Sequence, residues 1–263
     1  MINLTEMSNY PQHSDIRRPD ISLVILCYGA GEFVRQFCRN ATNIFVKNGI
    51  LDYELVLVGN YHKDSNDNTP KVVTELASEN YVTTKGSPKI VCVTKIKEGM
   101  MGWDMQSGLS VARGRYIAVI DGDGQMPLGD VVAVYKKIKN EKFDLVKTYR
   151  ITRGDNLWRK IISRVYNLLF KFLFPGLCSR DINSKPKIFS REAYEKMSLV
   201  SGDWFIDAEI MIQARRYNFK IGEIPTHFLG LNGRRSFVRL ITITEFVKNL
   251  IVFRIKEFGY WFR

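Results

Sequence analysis

The sequence predicts an α/β fold, a mostly parallel sheet with helices packed on both faces. Three features of residues 21–147 lead there. Short apolar runs alternate with helical stretches. The runs ISLVIL, YELVLV, KIVCVT and YIAVI are unbroken rather than alternating, the pattern of strands covered on both sides. Polar or glycine-bearing loops follow them, and beyond the carboxyl ends of the strands is where such sheets bind ligands.

The first strand is Ile21–Leu26. Tyr28-Gly29-Ala30-Gly31 makes a loop, and Glu32–Asn48 has helical periodicity. Tyr53–Val58 is the second strand, Asn60–Pro70 a polar loop and Lys71–Glu79 a short helix. Lys89–Thr94 is the third strand, Met105–Ala112 a helix and Tyr116–Ile120 the fourth strand. A helix over Val131–Lys139 leads to a short fifth strand, Phe143–Lys147. Beyond residue 150 the pattern changes. Trp158–Phe174 is an amphipathic, aromatic and basic helix stopped by Pro175-Gly176. Trp204–Tyr217 is helical, Lys220–Pro225 extended, and Thr242–Phe258 a last amphipathic helix. Residues 1–20 are polar, without a signal-peptide core, and read as a flexible lead-in.

Composition narrows the function. The chain has 263 residues, 45% hydrophobic and 25% charged, an ordinary globular balance. Lys+Arg 39 against Asp+Glu 27 gives +12, which calls for an anionic partner. Residues 147–171 hold seven Lys/Arg and one acid, and residues 231–263 seven Lys/Arg and two acids. These two segments carry nearly all of the excess. Both interleave it with aromatic residues: Trp158, Phe170, Phe172 and Phe174, then Phe253, Phe258, Tyr260, Trp261 and Phe262. Basic amphipathic helices of this kind suit an anionic membrane surface; packing on the core or on a second subunit is the alternative. No apolar run is long enough to span a bilayer. RNA-stacking, helix-turn-helix and zinc-finger patterns are missing, so nucleic acid is not the expected partner. Cys27, Cys38, Cys92 and Cys178 are scattered and fit buried, reduced thiols.

The sharpest motif is Asp121-Gly122-Asp123-Gly124-Gln125, directly after YIAVI. Two carboxylates at i and i+2 at a strand end, with Gln125 as a further oxygen, suit a hard cation, Mg²⁺ or Mn²⁺, that completes its shell with substrate phosphates. An acidic turn capping the next helix would look the same. Upstream, Gly99 and Gly102 in GMMGWDMQSGLSVARG permit close backbone approach to a ligand. Neither GxxxxGK[ST] nor GxGxxG occurs, so the sequence gives little support to Walker-type or dehydrogenase-type sites.

This ordered set resembles family-2 glycosyltransferases of the GT-A fold, in particular the polyprenyl-phosphate sugar transferases. Cys27, Tyr28 and Glu32 sit where that family has its first nucleotide loop. GMMGWDMQSGLSVARGRYIAVIDGDGQMP is similar to its glycine-rich segment, small-residue helix and metal-binding Asp-x-Asp-x-Gln. Tyr149-Arg150 and Arg159-x-x-x-Ser163 resemble its acceptor-phosphate elements. Arg180-Asp181-Ile182-Asn183-Ser184-Lys185-Pro186-Lys187, DWFIDAEIMIQA and Glu223-Ile224-Pro225 are similar to its later segments, in order. The second strand departs, ending Val58-Gly59-Asn60 where the family has paired acids, which alters a base or ribose contact at Asn60. Arg234 and Arg235 stand for the family's late phosphate-binding arginine.

The resemblance implies an inverting, metal-dependent transfer of a hexose from a nucleotide-sugar to a polyprenyl phosphate at the cytoplasmic membrane face. The nucleotide-sugar half would be 21–147 and the acceptor half 148–230, with an interfacial helix at 158–174 and a basic tail at 231–263. The protein would attach peripherally, with a homo-oligomer left open. A lipid phosphate is already largely dianionic at neutral pH and needs cations, such as Arg150 and Arg159, rather than a base. A sugar hydroxyl, the alternative acceptor, would need one, and Asp181 or Asp207 is then the candidate. Asp207 and Glu209 are two apart on one helix and cannot both face one point, so one approaches the acceptor side and the other is a surface or capping charge. A basic nucleic-acid binder or an inactive membrane scaffold stand as readings from other classes.

Overall fold

A computed structural model describes residues 18–79, 90–152, 157–177, 179–229 and 240–261. One seven-stranded sheet organises it, in the order β3-β2-β1-β4-β6-β5-β7. Its strands are β1 (Ile21–Leu26), β2 (Tyr53–Val58), β3 (Ile90–Val93), β4 (Tyr116–Asp121), β5 (Leu145–Thr152), β6 (Lys187–Ser190) and β7 (Ile221–His227). β1 to β4 run parallel, as the unbroken apolar runs predict. Register aligns their exits, with Leu26 opposite both Val58 and Asp121. Tyr28, Asn60 and Asp123 therefore leave the same edge.

The helices are α1 (Phe33–Lys47), α2 (Thr69–Glu79), α3 (Met101–Val111), α4 (Leu128–Glu141), α5 (Leu157–Leu173), α6 (Arg191–Lys196), α7 (Ile206–Arg216) and α8 (Leu240–Trp261). They cover two faces. Ile21, Leu23 and Ile25 of β1 pack with Phe37 and Phe45 of α1 and Val131 and Ile138 of α4. Val24 and Leu26 turn the other way, toward Met105 of α3, Phe170 of α5 and Ile206 to Ala214 of α7. The alternation within one unbroken apolar strand is what a sheet buried on both sides requires.

The acceptor half departs from expectation in three ways. β5 starts two residues later than predicted and runs on to Thr152. β6 and α6 were not anticipated: β6 is a four-residue strand that pairs antiparallel with both β4 and β5. The proposed membrane anchors Phe170 and Phe174 point inward instead, each wholly buried in the core beside Phe205 and Leu250. The outward stripe of α5 is Val165, Leu168 and Phe172, one helical face by its spacing. The fragment 1–17, the segment 230–239 and Cys178 lie outside the described residues.

α3 approaches β1 and β2 closely because Gly108 has no side chain. A Cβ there would press on Val24 and sit 2.7 Å from Val58 Cγ2. Gly108→Ala should cost about 1–3 kcal/mol by overpacking and lower the melting temperature by about 3–10 °C. Thermal unfolding of the variant measures this; an unchanged melting temperature would contradict the packing.

Candidate active site

The donor edge is built by the loops after β1, β2 and β4. Tyr28 stands part-exposed with the Lys97 ammonium 4.4 Å from its ring centroid and His62 edge-on at 5.9 Å. Lys97 is itself paired with buried Asp104. Lys97 carries no motif, which is why sequence reading passes over it. Gly29 and Gly31 donate backbone N–H groups to Asp67 and Thr69, fixing the loop after β1. Glu32 lies on the outside, holding Arg35 at 3.1 Å and Asn68 at 3.4 Å.

Two residues expected to touch the nucleotide are spoken for. Asn60 is fully buried; its amide donates to Asp104 (3.0 Å) and Ser107 (3.3 Å) and accepts from Lys95 N–H (2.9 Å). With both ends engaged, its side chain braces β2 against α3 rather than reading a base. The Cys27 thiol is buried and donates to the Ile25 carbonyl, and burial pushes its pKa well up. Its backbone is engaged too, the N–H donating to the Val58 carbonyl and the carbonyl accepting from Ala30.

Gly99 and Gly102 do permit close approach, but to protein. A Cβ on Gly99 would lie 2.6 Å from the Gly202 carbonyl oxygen, and one on Gly102 2.6 Å from that of Asp203. Met100, Gly102 and Trp103 donate their N–H groups to these carbonyls at 2.8–3.0 Å. The 201–203 backbone thus caps α3, whose first N–H groups would otherwise lack acceptors. α7 holds that loop in place. Glu209 is not a surface charge: it is wholly buried and accepts N–H bonds from Val200 and Ser201 at 2.8–3.1 Å.

The Asp121–Gln125 motif closes the edge. Asp121 receives the Lys185 ammonium at 2.8 and 3.2 Å. Asp123 Oδ1 accepts the Gln125 N–H at 3.0 Å, and the Gln125 carbonyl accepts from Leu229, just past β7. Among the described residues no group of three or more His, Cys, Asp or Glu is spaced to hold an ion. One or two carboxylates suffice when a diphosphate supplies the remaining oxygens, and Asp123 with Asp121 and Gln125 is a hard-oxygen set of that type. The motif therefore fits Mg²⁺ or Mn²⁺ carried with a donor diphosphate.

On the acceptor side, buried charge dominates. Register places Val119, Lys187, Lys147 and Glu223 in one row across β4, β6, β5 and β7. Lys147 and Lys187 are both fully buried and directly opposed, an arrangement that needs carboxylates to survive. Lys147 bonds Glu223 at 3.3 Å and the Asp181 carbonyl; Lys187 pairs with Asp207 and donates to the Ile182 carbonyl at 2.9 Å. Asp207, buried, also lies 3.5 Å from Lys185. Asp181 is clamped by Arg150 through Nε at 2.6 Å and a terminal nitrogen at 2.8 Å. So Arg150, expected to grip the acceptor phosphate, spends its fork on Asp181. Exposed Arg180, over the Tyr149 ring at 4.6 Å, is a further cation on this side. Arg159 and Ser163 fall within α5, with side chains outside the described set; Arg234 and Arg235 lie outside it altogether.

Comparison with known proteins fits this arrangement. The family model "Glycosyl transferase family 2" matches residues 22–199, well over half of the chain. The chain belongs to glycosyl transferase family 2. It is a glycosyltransferase, and its sheet and helices form the GT-A fold. This family-2 chain is 25% identical to a dolichyl-phosphate beta-glucosyltransferase of Trichomonas vaginalis, over 98% of the chain and 80% of that protein. It is 22% identical to the enzyme of the same name from Saccharomyces cerevisiae, over 94% and 78%. Among solved structures, glucosyl-3-phosphoglycerate synthase of Mycobacterium tuberculosis with Mn²⁺, UDP and phosphoglyceric acid superposes with a TM-score of 0.66. The identity there is 18%, over 90% of this chain and 78% of that one.

Burial pushes the Lys187 ammonium down to about 8, against the pull of Asp207. A lysine depressed in the folded state binds its proton less tightly there than when unfolded. The stability it forfeits while charged returns as pH rises from about 8 toward 10.5. Urea unfolding at pH 7.5 to 9.5 should show stability rising faster in the parent than in Lys187→Met, by up to about 1.4 kcal/mol per pH unit, the limit for one proton. Parallel pH profiles would refute the depression.

Proposed function

We propose that the protein transfers a hexose, with inversion, from a nucleoside-diphosphate sugar to a polyprenyl phosphate, with a divalent ion at Asp121, Asp123 and Gln125. One observation supports the acceptor choice above the rest. Both carboxylates that might deprotonate a hydroxyl are tied to cations, Asp181 by Arg150 and Asp207 by Lys187 and Lys185. Their oxygens are engaged by these cations rather than open to a substrate hydroxyl. A phosphate monoester needs no base, because its second ionisation lies near pH ~6. The names of the Trichomonas and yeast relatives favour glucose and a dolichyl-type phosphate, and UDP in the Mycobacterium structure favours a uridine nucleotide.

The chemistry divides simply. A phosphate oxygen of the acceptor attacks the anomeric carbon, and the bond from that carbon to the diphosphate oxygen breaks. Negative charge builds on the leaving diphosphate, and a bound divalent ion would neutralise it as a Lewis acid. Asp123 would hold the ion. Tyr28, beside Lys97, offers a face for the base.

A lipid acceptor calls for contact with a membrane. No described helix is long and apolar enough to cross one. Instead α5 exposes Phe172 (80%), Leu168 (70%) and Val165 beside Arg164 and Lys171, and α8 exposes Ile251 and Ile255 beside Lys248 and Lys256. This mixture suits peripheral attachment to an anionic interface.

Two outcomes are expected. Labelled UDP-glucose with a short polyprenyl phosphate should give lipid-linked sugar that requires Mg²⁺ or Mn²⁺, and Asp123→Ala should lower the rate by at least ~10²-fold. Transfer solely to sugar hydroxyls would sink this reading. Leu168→Ser with Phe172→Ser should reduce co-sedimentation with anionic vesicles; undiminished binding would place the membrane face elsewhere.

A further inference from the structure

Lys185 has no part in the transfer as described so far, yet it occupies the metal motif. It lies two residues before β6, whose first residue, Lys187, pairs with Val119 of β4, and its side chain reaches the carboxylate at the end of β4. Its ammonium contacts Asp121 Oδ1 at 2.8 Å and Oδ2 at 3.2 Å, Asp207 Oδ2 at 3.5 Å and the Met101 sulfur at 2.8 Å. The lysine is 2% exposed, whereas the Asp121 side chain keeps 28% of its surface open. The ammonium therefore backs the carboxylate from the protein side and leaves its outer side to the donor.

We propose that Lys185 is a positioning residue that sets the order of donor binding: it neutralises Asp121, so that the divalent ion enters with the nucleotide rather than before it. This rests on the metal reading of Asp121 and Asp123. A fixed positive charge beside one of two ligating carboxylates repels a second cation and halves the anionic charge of the pair. Asp123 alone holds a free ion weakly. Once the diphosphate brings its own oxygens, the balance reverses, and the ammonium adds to the cationic surround of the phosphates. Asp207 fixes the lysine in place, and Lys187 occupies the other oxygen of Asp207.

Mn²⁺ binding to the full chain, read by the electron paramagnetic resonance signal of free Mn²⁺, tests this without any turnover. Without nucleotide the parent should bind Mn²⁺ weakly. Lys185→Met and Lys185→Gln should each tighten binding of Mn²⁺ alone by about tenfold or more, since removing a like charge within a few ångströms shifts cation binding by at least about one logarithmic unit. With UDP present the difference should shrink. Both variants should fold, because Asp207 keeps Lys187 and Asp121 reaches solvent, so neither strands a buried carboxylate. If Mn²⁺ binds either folded variant no more tightly than the parent, the Lys185 role is overturned. Asp123→Ala separates the two claims. If it leaves Mn²⁺–UDP binding intact, the metal reading itself fails; if it abolishes that binding while the Lys185 variants match the parent, only the Lys185 role fails.

Discussion

Three buried lysines constrain this protein more than any other feature. Lys147 and Lys187 are fully buried on a sheet face otherwise filled with Val, Leu, Phe and Met, and Lys185, just before β6, is almost as deeply buried. An unpaired ammonium there would cost several kcal/mol. Each therefore dictates where a carboxylate must be: Glu223 on β7 for Lys147, Asp207 on α7 for Lys187, and Asp121 at the end of β4 for Lys185. Arg150 and Asp181 add a fourth cation and anion at the same place. Satisfying these pairs brings the ends of four strands and one helix together at the junction of the donor and acceptor sides.

α7 spreads that constraint. Its residues from Ile206 to Ala214 are all buried, yet three of them are polar. Asp207 serves the lysines. Glu209 and Gln213 hold the backbone from Ser198 to Ser201. That loop in turn caps α3 through the carbonyls of Gly202 and Asp203, at the glycines that precede the metal motif. The helix thus links the acceptor half to the donor half through satisfied hydrogen bonds. Substituting any of these polar groups would leave a buried donor or acceptor without a partner, so their cost exceeds that of one lost bond.

Much of the donor half was legible in sequence, because its strands are unbroken apolar runs and its loops sit at their ends. Ile21–Leu26 and Tyr53–Val58 fall where the pattern puts them. β6 was not legible: four residues, KIFS, with a buried lysine first, match neither alternation nor an apolar run. Its antiparallel pairing is a tertiary event that local pattern does not encode. The same blindness hid the partners of the charged residues. Asp181, Arg150 and Asp207 read as free chemistry in the sequence, but Asp181 and Arg150 pair with each other and Asp207 pairs with Lys187 and Lys185. Phe170 and Phe174 read as membrane anchors, because an amphipathic helix does not reveal which of its apolar positions meets the core.

In the transfer we propose, the acceptor rather than the protein is the source of the attacking charge. The most direct measurement is the pH dependence of transfer with two lipid acceptors, a polyprenyl phosphate and an analogue whose second ionisation is displaced. The acid limb of kcat/KM should follow the acceptor, near pH ~6 for the phosphate and moving with the analogue's pKa. An acid limb that stays fixed when the acceptor changes would assign the proton to a carboxylate of the protein and contradict this account.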